Sequence, residues 1–322
     1  MAIAVLMPNS TKKPLFFLAG LVLFCFLLSA CSGNKVILSA LYNRIDNSMI
    51  KNFYAYADFD PEQRRAIKAS IEQYHLWHRK EQLPEYIKLL TQIRDTVAND
   101  APLTEAQFRN WNSQGLVLRN ILIECNPIMH SASFLQQLND QQILEIEQHF
   151  VEMAEKRKNR RAKKTAEERK AGREKRLFKN FKRIGLKLNV EQKQMVLIAQ
   201  SENESLFAAW QEFWPQWKEE FLILLRQREQ TEFPLKLQQH LNTFWYMGEQ
   251  RYPEVVERNR DNWMQLGPQL ADSLSAKQKE EFLKFLNKLI NSLEKISSDT
   301  PKVNLDSAFS VPTNCQANAL NT

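Results

Sequence analysis

Glycine is scarce in this chain, with seven in 322 residues, against about seven per cent in ordinary proteins. Two-residue hairpins and the phosphate-cradling turns of doubly wound sheets depend on glycine's access to positive φ. Those architectures are therefore closed to most of the sequence. Runs of β-branched residues are short, while Leu, Gln, Lys and Glu are abundant helix formers. The fold class that follows is all-α, an irregular multi-helix bundle.

The sequence also marks where helices begin. An apolar residue, then Asp, Thr, Asn or Ser, then two residues and Gln occurs five times: Phe59-Asp60-Pro61-Glu62-Gln63, Leu103-Thr104-Glu105-Ala106-Gln107, Leu138-Asn139-Asp140-Gln141-Gln142, Leu188-Asn189-Val190-Glu191-Gln192 and Leu274-Ser275-Ala276-Lys277-Gln278. Each reads as a capping box, in which the second side chain accepts from a free amide of the first turn and the Gln reaches back to the cap. With the prolines as breaks or kinks, the pattern predicts helices near 39–57, 60–98 with a kink at Pro84, 104–124, 127–137, 139–184, 189–230 with a break at Pro215, 235–265 and 275–296. Chain order suggests an N-terminal lobe at 39–137 and a C-terminal lobe at 138–296 carrying a long basic helix at 155–183, followed by an extended tail at 297–322. The five stretches also resemble the Leu-Thr-x-x-Gln motifs of Spy- and CpxP-type periplasmic chaperones. Only residues 103–107 reproduce those letters and the spacing is irregular, so simple capping accounts for them.

At the N-terminus, Lys12-Lys13 precede an uncharged apolar run from Pro14 to Leu28. The run is shorter than a membrane span and stops at Ser29-Ala30, the pattern of a cleaved leader covering 1–30. Leu28-Ser29-Ala30-Cys31 resembles a bacterial lipobox, which implies acylation of Cys31, a lipidated tether at 31–38 and a mature chain facing the periplasm. Ser32, where Asp would imply inner-membrane retention, favours the outer membrane. Cys25 leaves with the leader, so Cys125 and Cys315 remain. In an oxidising compartment they either bridge, closing a loop worth about 5 kcal/mol in the chain-entropy treatment, or stay as two buried or free thiols.

Leu41-Tyr42-Asn43 through Asp58-Phe59-Asp60, then Trp77-His78-Arg79 and Leu83-Pro84-Glu85-Tyr86, resemble a family of all-helical Gram-negative lipoproteins known as a domain of unknown function. The resemblance, clearest over 38–95, implies an all-α fold and an envelope location and brings no catalytic residue.

Residues 155–183 hold fifteen Lys or Arg and four Glu, a net of +11 in a chain whose total is +7, so everything else sums to −4. Lys156, Arg157, Lys158, Arg160, Arg161, Lys163 and Lys164 open this run. Too few acids are at hand for i,i+4 pairing, and the bland alternative is a solvated face. Nucleic acid, the usual partner of such a stripe, does not fit an envelope address. The anions available there are lipid and lipopolysaccharide phosphates and acidic envelope proteins. Phe207, Trp210, Trp214, Trp217 and Phe221 are spaced by three and four residues on one helical stripe. Such aromatics usually fill a core; a kink at Pro215 would instead splay them into an apolar groove, with Trp245, Tyr246 and Met247 on the same wall. His75 and His78, with Glu81 beyond, offer two metal ligands at most, and packing is the better reading. No Gly-x-Ser-x-Gly, His-Glu-x-x-His or phosphate loop is present. No cofactor and no catalytic residue are expected, and an enzyme is disfavoured. The sequence points to a lipid-anchored helical protein that acts by binding, chaperone-like in character; the competing reading is an assembly subunit of an envelope complex that holds no client.

Overall fold

A computed structural model describes residues 35–299 together with Cys315. The leader, Cys31 and the rest of the tail lie outside the described residues, so the expected acylation site has no structural account. Every regular element among the described residues is helical.

All five predicted capping boxes are formed, with Asp60, Thr104, Asn139, Asn189 and Ser275 each accepting from the backbone amide of its Gln. They start α3 (Pro61–Trp77), α5 (Glu105–Glu124), α7 (Asp140–Ala162), α9 (Val190–Glu202) and α14 (Ala276–Ser298). The helix expected at 39–57 is two, α1 (Lys35–Tyr42) and α2 (Ile45–Tyr54), and α1 starts inside the expected tether. Between α3 and α4 (Leu83–Ala98) the helix widens into one π turn, His78–Gln82, where Leu83 N–H donates to His78 O. Pro84, which lacks an N–H to continue the α ladder, follows directly. The stretch from 61 to 98 thus stays continuous, about 57 Å of helix at 1.5 Å per residue.

Other expected helix bounds also fail. The helix predicted over 139–184 breaks at Lys163–Thr165, where α7 ends and α8 (Ala166–Arg183) begins, because Thr165 and Glu168 form a sixth capping box. Pro215 does not break its helix: α10 (Phe207–Arg226) runs through it. Gln211, whose carbonyl loses its partner there, is exposed to water. The break falls instead in the polar segment 203–206. The cores, for their part, draw residues from both sides of position 138. One core joins Ile50, Phe59, Ile67 and Met129 to Phe150, Trp217, Phe221 and Leu237; another joins Tyr42, Leu83, Leu90 and Leu118 to Leu286, Leu293 and Ile296. Both cross position 138, the first through α7 and residues 213–247 and the second because α14 returns to lie along α4.

The remaining helices are α6 (Ala132–Gln136), which follows a 3-10 turn at Pro127–His130 where one helix was expected over 127–137, and α11 (Phe233–Trp245), α12 (Met247–Arg251) and α13 (Pro253–Asp272), which divide the helix expected over 235–265 at Tyr246 and Tyr252. A third core gathers Leu177 of α8, Val196 and Ala199 of α9 and Leu266 and Leu270 of α13.

Two pairs of helix starts are clasped in the same way. Gln142 Nε2 donates to Gln63 Oε1 at 2.6 Å while Gln63 Nε2 returns a bond at 3.2 Å, and Gln278 Nε2 donates to Gln192 Oε1 at 2.8 Å with the return at 3.1 Å. Each amide thus closes its own cap and binds a second helix start, which satisfies donors and acceptors that burial would otherwise strand.

Candidate functional site

Two regions carry chemistry beyond packing: a buried polar junction at the π turn, and the basic span 155–183.

At the junction, Arg79 is 2% exposed. Its Nη1 donates to Ile296 O at 2.8 Å and its Nη2 to Asn43 Oδ1 at 2.6 Å, and the guanidinium lies 4.9 Å from the Tyr42 ring centroid. Lys80 Nζ donates to Ser297 O at 3.0 Å. Two cations therefore cap the C-terminus of α14, where the helix dipole is negative and carbonyls are unpaired. Tyr42 hydroxyl hydrogen-bonds His78 Nδ1 at 2.8 Å, and His75 stacks 4.5 Å from Tyr42 with Asp46 at 3.8 Å. Burial lowers the His75 pKa to about 4 and that of His78 to about 3, with Arg79 pushing the same way. Both rings are neutral at pH 7, and burial raises the Tyr42 phenol well out of range. His75 and His78 do not assemble a metal site: no cluster of three or more ligating side chains occurs among the described residues.

Beside this junction Cys125 and Cys315 are joined, with Sγ–Sγ 2.12 Å and Cα–Cα 5.8 Å. The bridge packs under Tyr74 and Trp77, whose indole N–H donates to Cys315 O. Arg79 and the disulfide thus both bind distant chain back to the end of α3. Sequence reasoning singled out His75, His78 and the cysteines but missed Arg79 and Lys80. Their partner carbonyls lie 217 residues away, beyond the reach of any local pattern.

The basic span occupies the C-terminal part of α7, the helix that starts at the first clasp, and ends where α8 meets the third core. Gly185 closes α8 at φ +87°, and a Cβ there would stand 2.6 Å from Glu281 O, so the turn admits only glycine. Leu177 is the only residue of α8 that is fully buried, with Phe178 and Phe181 partly covered. Thr165 Oγ1 accepts from Glu168 N and Glu168 Oε2 from Thr165 N, so one of the four acids is engaged in the cap. Arg169 donates to the carbonyls of Arg161 and Lys164, closing the end of α7.

Of the seven cations at the start of the run, Lys156, Lys158, Arg160, Lys163 and Lys164 are exposed, and Lys156 pairs with Glu152 at 3.3 Å. Arg157 and Arg161 are half-buried and lie over aromatic rings, Arg157 at 5.9 Å from Trp214 and Arg161 at 4.3 Å from Phe207. The structure therefore brings the basic run against the aromatic stripe. The stripe is not an open groove. Trp217 and Phe221 are 1% and 0% exposed; Trp217 Nε1 donates to His240 O at 3.0 Å and His240 Nε2 to Trp217 O at 2.9 Å. Phe207, Trp210 and Trp214 are half-buried, and Met247 is in the core. Further along, Lys175, Lys179 and Lys182, spaced by four and three, share the exposed face of α8.

No helix among the described residues is long and apolar enough to cross a membrane. The picture is that of an all-helical protein with a charged external span. Residues 55–251 match the family described as "Family of unknown function (DUF6279)", and the chain belongs to that family. The matched region holds the π turn, the aromatic stripe and the whole basic span. No curated protein and no solved structure matches the chain.

Proposed function

We propose that this chain is a lipid-anchored, periplasm-facing protein of the outer membrane that acts by binding, holding an anionic envelope partner on its basic span. One observation carries the reading: fifteen cations lie on two helices and the turn between them, with four acids among them, and none of the fifteen is a core residue, while the rest of the molecule is net negative. Cations held only for fold stability would be paired with carboxylates or capped onto carbonyls, as Arg79 is. The leader and Leu28-Ser29-Ala30-Cys31 support the anchor. The packed state of Trp217 and Phe221 gives no support to holding apolar client segments on that stripe.

The test is a crosslinking pulldown from intact envelopes, with mass spectrometry of the mature N-terminus. An acylated Cys31 and anionic lipid, lipopolysaccharide or acidic protein captured through residues 155–183 is the expected result. Capture of one stoichiometric partner through another face would favour the assembly-subunit reading, and an unprocessed, unacylated N-terminus would overturn the anchor.

A further inference from the structure

We propose that α8 is a membrane-surface contact: its Lys175, Lys179 and Lys182 stripe lies on the phosphate layer of an anionic lipid leaflet and orients the anchored protein. The proposal rests on the anion-binding reading above and narrows it to one partner.

Four observations favour a lipid surface. The stripe is exposed, and none of the three lysines makes an ion pair or hydrogen bond among the described residues. Second, the stripe is lysine rather than arginine. Compact, strongly hydrated ammonium charges suit diffuse adsorption to many phosphates, whereas planar bidentate recognition would call for arginine. Third, α8 buries a single residue fully and keeps its other faces polar, so it can approach a headgroup layer without repacking the cores. Fourth, charge is segregated, +11 on the span against −4 elsewhere. An anionic leaflet attracts one face and repels the remainder, which fixes orientation as well as adding affinity.

The experiment uses the full chain reconstituted through its own N-terminus into phosphatidylcholine vesicles, with or without phosphatidylglycerol, and reads lysine acetylation rates by mass spectrometry. In anionic vesicles acetylation of Lys175, Lys179 and Lys182 is expected to slow by about tenfold relative to zwitterionic vesicles, and the protection to vanish at about 1 M salt. Lys51, Lys236 and Lys277, also exposed but outside the span, should be unaffected. In a chain carrying Lys175→Glu, Lys179→Glu and Lys182→Glu, the protection of neighbouring Lys163 and Lys164 should be lost, and the corresponding triple Gln variant should fall between. Protection by soluble inorganic polyphosphate but not by anionic vesicles would overturn the lipid assignment while leaving the anion-binding reading intact. No protection by either would overturn both, and equal protection of Lys51, Lys236 and Lys277 would show adsorption without a dedicated face.

Discussion

The π-turn junction and the basic span handle positive charge in opposite ways. At the junction one guanidinium is taken out of water, and the fold answers with a carbonyl, an amide oxygen and an aromatic ring. On the span fifteen cations stay at or near the surface, with four acids among them. A buried charge left unpaired costs several kcal/mol, whereas an exposed one costs almost nothing. The junction is therefore constrained by stability. The span is not, and its unbalanced charge is what the proposed anionic partner would meet.

Substitutions and pH should separate the two regions. The largest effect is expected beside the junction: replacing Cys125 and Cys315 together by Ser opens a loop with a sequence separation of 190. Urea unfolding should then show a loss of about 5 kcal/mol in the chain-entropy treatment. Acid should act next. Folding lowers the imidazole pKa values from 6.5 to about 4 and about 3. The unfolded chain therefore takes up protons first, so this stability is whole above about pH 6.5 and is lost as pH falls through 4 towards 3. Protonation would set two more cations beside Arg79, with Asp46 and the Tyr42 and Tyr86 phenols as the other ionisable groups against the two rings. A His75→Gln, His78→Gln chain whose acid transition is unchanged would contradict this. Arg79→Met should cost about 3 kcal/mol, since Ile296 O and Asn43 Oδ1 lose their donor. Gly185→Ala, at the end of the span, should cost about 1 to 2 kcal/mol, read as a lower melting temperature, because the turn requires positive φ against Glu281 O. Smallest of all, the Lys175→Glu, Lys179→Glu, Lys182→Glu chain should change unfolding free energy by less than about 0.5 kcal/mol.

Legibility followed the range of the interactions. Capping boxes are local, and all five marked by Gln were read at the right residue. The sixth, Thr165-Ala166-Glu167-Glu168, uses Glu in the same role, and overlooking it turned two helices into one. Pro215 misled because a missing hydrogen bond matters less where its acceptor faces water. Among the candidate sites, the charge of the span was plain in composition, but its lodging of Arg157 and Arg161 against Trp214 and Phe207 was not. Packing of His75 and His78 was legible, but the bonds of Arg79 were not, because its partners come from α1, the loop after it and the far end of α14. The reciprocal glutamine clasps likewise join residues 79 and 86 positions apart.

Co-sedimentation of the full chain with isolated outer membranes, wild type against the triple lysine reversal on α8, measures the decisive quantity directly. Both chains should melt alike, while the reversed chain loses the salt-sensitive part of its membrane association and keeps only what the anchor provides. Equal, salt-insensitive sedimentation of two equally stable chains would mean that the exposed charge of the span serves no envelope partner.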